Sequence, residues 1–179
     1  MKAFTGAVLA ALLAAGLPAQ GTGTAQSGPL PAAAAALSPA AAVDADQAVA
    51  LAFYRALNQG DAAALAALLA PGFSSDAALP GLKPGAAGLV AWLGGLRAAF
   101  PDGQVEVLDC VSQGGRVAVR YRFSGTQRGR FLGLRPTRRR ASVLGMDLWT
   151  VQGGTLAAQS GTLDTLGILV QLGIAPALH

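Results

Sequence analysis

The chain has 179 residues, of which 53% are hydrophobic and 12% charged, with 13 basic against 9 acidic residues and a net charge of +4. A chain this apolar is long enough for one folded domain with appendages, which excludes disorder along its whole length. Its sole histidine is His179 and its sole cysteine Cys110, so a Ser–His triad, a Cys–His pair, a histidine metal site and an internal disulfide are excluded.

Residues 1–25 read as a secretory signal. Lys2 gives the positive start, Ala7 to Leu17 an apolar run, and Ala19 or Ala25 a small residue for cleavage. The run is too short to span a membrane, and the expected location is secreted or periplasmic. Residues 26–42, rich in Ala, Pro and Gly, have too few large side chains to offset the entropy of ordering and read as a flexible tether. The folded domain is expected over 43–179.

Asp44 or Asp46 caps a helix that carries Val49, Phe53 and Leu57 on one face. Asn58-Gln59-Gly60 ends it, and Asp61 caps a second helix through Leu69. Pro71-Gly72 breaks that helix, and Phe73 to Pro84 reads as irregular. A third helix is expected over Ala86–Ala99, where Leu89, Leu93 and Leu96 recur beside Trp92 and Phe100.

From Pro101 the hydrophobic period becomes that of a strand. Gln104–Gln113, Arg116–Ser124, Ala141–Val151 and Thr155–Thr165 are strand candidates, and Gly114-Gly115 and Gly153-Gly154 mark hairpins. Cys110 falls among Val105, Val107 and Val111 as a buried structural thiol. Helices followed by a meander of strands make an α+β order. The expected fold is one curved antiparallel sheet covered by about three N-terminal helices, with a pocket between the layers.

In the last strand Ala158, Ser160, Thr162 and Asp164 share a face, and an apolar run from Leu166 to Leu172 follows. Asp164 is then either a capping or turn residue or a carboxyl at a pocket mouth. In the second case desolvation would raise its pKa toward the range useful for proton transfer. Ser160, Thr162, Tyr54, Gln127 and Ser142 are candidate donors to a developing oxyanion. Phe53, Phe73, Asp76, Trp92 and Met146 complete the candidate pocket.

Nine of the thirteen basic residues lie between Arg116 and Arg140. The run from Arg128 to Arg140 reads first as a solvated loop and second as a contact for an anionic membrane or ligand. Nucleic acid is not expected, because Phe131 is the only aromatic residue in the run.

In order along the chain, FYRALNQGD (53–61), Pro-Gly-Phe (71–73), AFPDGQVEV (99–107), GTQRGRFLGLRPT (125–137) and LDTLGILVQLG (163–173) resemble the SnoaL-like polyketide and ester cyclases. That family belongs to the wider group of cone-shaped, nuclear transport factor 2-like (NTF2-like) folds. The resemblance covers about 53–173. It implies intramolecular aldol ring closure by a last-strand aspartate, with neither metal nor organic cofactor. Asp164 matches that aspartate, while Ala158, Gln159 and Ser160 stand where the family commonly has Glu, His and Trp. Two readings follow: a cofactor-free cyclase or isomerase using Asp164, or a non-catalytic pocket for an apolar small molecule. A homodimer stays open.

Overall fold

The computed structural model describes residues 44–77 and 79–175. The signal segment (1–25) and the tether (26–42) lie outside the described residues.

Helix α1 spans Ala45–Gln59 and α2 Ala62–Leu68. Each begins where an aspartate accepts an otherwise unpaired first-turn N–H: Asp44 from Gln47 at 2.7 Å and Asp61 from Ala64 at 2.9 Å. Gly60, at φ 71°, takes the left-handed turn that stops α1. The buried stripe of α1 is Ala50, Phe53, Tyr54 and Ala56. Helix α3 spans Gly85–Ala99 and buries Leu89, Leu93, Leu96 and Ala99. Gly88 lets the Lys83 carbonyl approach where a Cβ would overlap it, whereas Gly94 and Gly95 face open space.

The strands are β1 (Leu69–Ser75), β2 (Gln104–Gln113), β3 (Arg116–Thr126), β4 (Arg140–Gln152) and β5 (Thr155–Leu163), in the spatial order β1-β5-β4-β3-β2. The meander β2 to β5 is antiparallel, and β1 runs parallel to β5 at the far edge. One element of this curved α+β sheet departs from expectation. Residues 69–75 form a fifth strand rather than irregular chain, because an edge strand tolerates Pro71 and Gly72 where a central one would not. A fourth short helix, α4 (Thr165–Gln171), follows β5. Cys110 is half-buried rather than fully enclosed.

Helices α1 and α3 cover one sheet face. Trp149 of β4, wholly buried, is the hub of an aromatic cluster, with Phe53 4.7 Å and Phe73 6.5 Å away between ring centroids. Between β3 and β4 a loop is fixed from inside by Gln127, which has no solvent exposure. Its amide donates to the Gly129 and Arg135 carbonyls at 3.2 Å each and accepts from the Thr137 N–H and hydroxyl at 3.0 and 2.9 Å.

Candidate active site

The inward positions of β4 are Ala141, Val143, Gly145, Asp147, Trp149 and Val151, a strict alternation with one acid in it. Two of the larger inward side chains face a glycine across the sheet: Tyr121 of β3 pairs with Gly145, and Asp147 pairs with Gly161 of β5. A Cβ at Gly145 would overlap the Tyr121 ring, and one at Gly161 would overlap the Asp147 carboxylate. The two glycines therefore leave the space in which a phenol and a carboxylate lie against the sheet.

Asp147 is 5% exposed, and both of its oxygens are hydrogen-bonded. The Tyr54 hydroxyl donates to Oδ2 at 2.6 Å, and Gln159 Nε2 donates to Oδ1 at 2.9 Å. Behind these, Trp149 Nε1 donates to the Tyr54 oxygen at 3.0 Å, and the Ser75 hydroxyl donates to Gln159 Oε1 at 3.1 Å. Ser75 accepts in turn from the Ala77 N–H at 3.2 Å. The parallel strand β1 thus holds the amide that holds the carboxylate.

Burial pushes the Asp147 carboxyl up from an ordinary 3.8 to about 6, although the bonds from Tyr54 and Gln159 favour the anion and oppose the rise. Burial, and then the neighbouring Asp147 charge, push both the Tyr54 and the Tyr121 phenols upward. Around neutral pH the site therefore holds one carboxylate and two protonated phenols. Tyr54 keeps its proton and donates a hydrogen bond to Asp147. Among the described residues the Tyr121 hydroxyl has no such partner, and it borders a cavity.

That cavity lies between α1, α3 and the sheet and opens to solvent. Leu57, Leu89, Leu93 and Leu96 with Phe53, Trp92 and Phe123 make it apolar, while Tyr54, Tyr121, Asp147 and Gln159 concentrate polarity on the sheet side. A flat apolar compound with one polar end fits such a wall.

Of the residues expected here, Phe53, Tyr54 and Trp92 line the cavity, and Thr162 borders it with an exposed residue surface. Phe73 is buried core beside Trp149. Several expectations are corrected. Asp164 is exposed, caps α4 by accepting the Gly167 N–H at 2.7 Å, and does not line the cavity. Ser142, Met146 and Ser160 are exposed on the opposite sheet face, and Asp76 is exposed on the loop after β1. Gln127 spends its amide on the β3–β4 loop and offers no donor to the cavity.

In β5 the face expected to line the cavity is the outward one, and a one-residue bulge precedes it. Thr150 pairs with Ala158 but Val151 with Leu156, which leaves Ala157 unmatched. Leu156 faces inward, and beyond the bulge the inward set becomes Gln159, Gly161 and Leu163 instead of Ala158, Ser160 and Thr162. Sequence reasoning overlooked Asp147, Tyr121 and Gln159. The signal for Asp147 was present, since an acid inside the apolar half of a long alternation is a buried acid.

Residues 47–172 match the family model for SnoaL-like polyketide cyclase. No curated protein matches the chain. Among solved structures, TsrD from Streptomyces laurentii is 29% identical with a TM-score of 0.67, over 73% of this chain and 96% of its own. IdmH from Streptomyces antibioticus, a candidate polyketide cyclase, is 28% identical with a TM-score of 0.63, over 72% of this chain and 98% of its own. AclR from Streptomyces galilaeus, a candidate hydroxylase, is 25% identical with a TM-score of 0.69, over 77% of this chain and 91% of its own.

Proposed function

The chain belongs to the SnoaL-like polyketide cyclase family, and from that premise we propose that it moves a proton on an apolar carbonyl compound, with Asp147 as the acid/base. The observation that carries this is a buried carboxylate, raised to about 6, on the polar wall of an otherwise apolar cavity. A base with a pKa just below the working pH is mostly ionised and still returns its proton readily.

In the proposed step the Asp147 carboxylate takes a proton from the carbon beside a substrate carbonyl. The C–H electron pair moves into the carbon–carbon bond, the carbonyl oxygen becomes an enolate oxygen, and the Tyr121 hydroxyl donates a hydrogen bond to it. The enolate carbon then attacks a second carbonyl of the same molecule, closing a ring. Asp147 gives its proton to the alkoxide formed, so protons balance within substrate and carboxyl. Returning the proton to carbon instead gives isomerisation. Export, read from residues 1–25, belongs to the same proposal and rests on the sequence.

A second reading has its own support: both Asp147 oxygens already accept internal hydrogen bonds, as in a pocket that binds without turnover. Exchange of the α-protons of 2-acetylnaphthalene in deuterated buffer, followed by proton NMR, separates the two. The catalytic reading expects exchange above buffer that rises with pH to a midpoint near 6. It also expects Tyr121→Phe to slow exchange roughly tenfold to hundredfold with little change in affinity. Saturable binding of the ketone with no exchange above buffer would leave the binding reading alone.

A further inference from the structure

The β3–β4 loop is used by neither reading. It carries Arg128, Arg130, Arg135, Arg138, Arg139 and Arg140, all exposed, and no acidic residue from 127 to 140. On the neighbouring sheet face, by contrast, Arg120 is paired with Asp109 at 2.5 Å and Arg122 with Glu106 at 2.9 Å. Among the described residues Arg140 alone of the six forms an ion pair, with Asp102 at 3.7 Å, and Arg128 is near enough to help hold the same carboxyl below the ordinary range. That carboxylate already accepts the Thr126 N–H and hydroxyl at 2.7 and 2.8 Å. The loop is a concentrated, weakly compensated positive charge.

It is also a built platform. Gln127 fixes it from beneath, and Phe131 is buried 5.3 Å from Phe100 between ring centroids. The Arg128 and Gly129 N–H groups bond to the Ala99 carbonyl at 2.8 and 3.0 Å. At its tip Leu132, at φ 48°, is 40% exposed beside Gly133 at φ 81°. A left-handed backbone at a leucine is unfavourable, and here it accompanies an apolar side chain left in solvent among cations.

We propose that this loop docks on an anionic phospholipid surface. Guanidinium groups suit headgroup phosphates, each cation near such a surface contributes attraction, and a lone leucine suits the headgroup–acyl boundary. The cleft lined by Thr126, Arg128 and Arg138 gives a phosphate two guanidiniums, the Thr126 hydroxyl being already donated to Asp102. Nucleic acid fits less well, because the loop's one aromatic ring is turned into the core and cannot stack on bases.

The test is co-sedimentation of the full chain with vesicles of phosphatidylcholine alone and of phosphatidylcholine mixed with phosphatidylglycerol, at low and high salt. Wild type should bind the mixed vesicles selectively, and salt should release it. Joint replacement Arg128→Ser, Arg135→Ser and Arg138→Asn should weaken that binding roughly hundredfold. Asparagine is chosen at 138 because it tolerates the left-handed φ of 61° found there. Leu132→Ser should weaken binding roughly tenfold and leave the salt dependence in place. Thermal melting checks that each variant folds. The apolar N-terminal run is common to all of them, so differences between variants report on the loop. Equal binding to neutral and mixed vesicles, or binding that the arginine replacements leave intact, would overturn the proposal. So would binding of inorganic phosphate or single-stranded DNA without binding of vesicles.

Discussion

Asp147→Asn should reduce proton exchange on a bound ketone by about a hundredfold to ten-thousandfold, the range that a positioned acid/base contributes, while ligand affinity stays close to normal. The fold should survive because the surrounding network can reverse itself. The amide oxygen of the introduced asparagine would still accept from the Tyr54 hydroxyl, which now donates to Asp147 at 2.6 Å. Its new NH₂ would face Gln159, whose amide can turn over to accept it. The turned amide would then donate to Ser75 Oγ, which keeps a free lone pair beside the one taken by the Ala77 N–H. The variant therefore loses the titrating proton and little else. Retention of exchange by a folded Asp147→Asn protein would remove the carboxyl from the chemistry. Asp164→Asn serves as the control: that carboxylate caps a helix at the surface by accepting the Gly167 N–H, and since asparagine caps about as well as aspartate the change should leave both stability and exchange nearly unaltered.

The second large effect is on stability. Asp147 binds its proton more tightly in the folded state, about 6 against 3.8. Between those values the folded protein holds more protons than the unfolded chain, so this group's contribution is fully present below about pH 4 and is lost as pH rises through 6. The shift corresponds to roughly 3 kcal/mol. The groups facing Asp147, Tyr54 and Tyr121, are phenols held protonated throughout that window. Elsewhere Asp44 and Asp102 act with the opposite sign. Hydrogen bonds from Gln47 and Ser112, and from Thr126, hold them below the ordinary range, so their contribution is lost on acidification. Total stability mixes these effects, and the difference between wild type and Asp147→Asn isolates one of them. Denaturant unfolding at several pH values should show wild type losing roughly 3 kcal/mol relative to the variant from about pH 4 to 7. A constant difference across that range would mean that the carboxyl is not desolvated.

The helical half of the domain was legible because its signals are local. Asp44, Gly60 and Asp61 mark helix ends through bonds to residues three or four positions away, and the sequence spacing contains them. The Gly114-Gly115 and Gly153-Gly154 hairpins were legible for the same reason. Strand β1 was not, because Pro71-Gly72 is a breaker in a helix or a central strand, and only the pairing with β5 reveals an edge position. The two faces of β5 were legible, but not which of them turns inward. Ala158, Ser160 and Thr162 do share a face, but the pairing with β4 turns Gln159, Gly161 and Leu163 inward, a choice that β5 alone does not encode. Gln127 has an equally non-local explanation, since its four bonds reach as far as Thr137. Asp147 differs from these. It is an acid on the apolar face of Ala141 to Val151, and that alternation marks it as buried without any knowledge of strand pairing.

Carbon-13 titration of the aspartate carboxyls reads out whether the buried carboxyl of Asp147 is tuned for proton transfer. The resonance missing from the Asp147→Asn spectrum assigns the residue. Its midpoint in the free wild-type protein should lie near 6. A midpoint in the ordinary carboxylate range, around 4, would mean that Asp147 is not tuned for proton transfer.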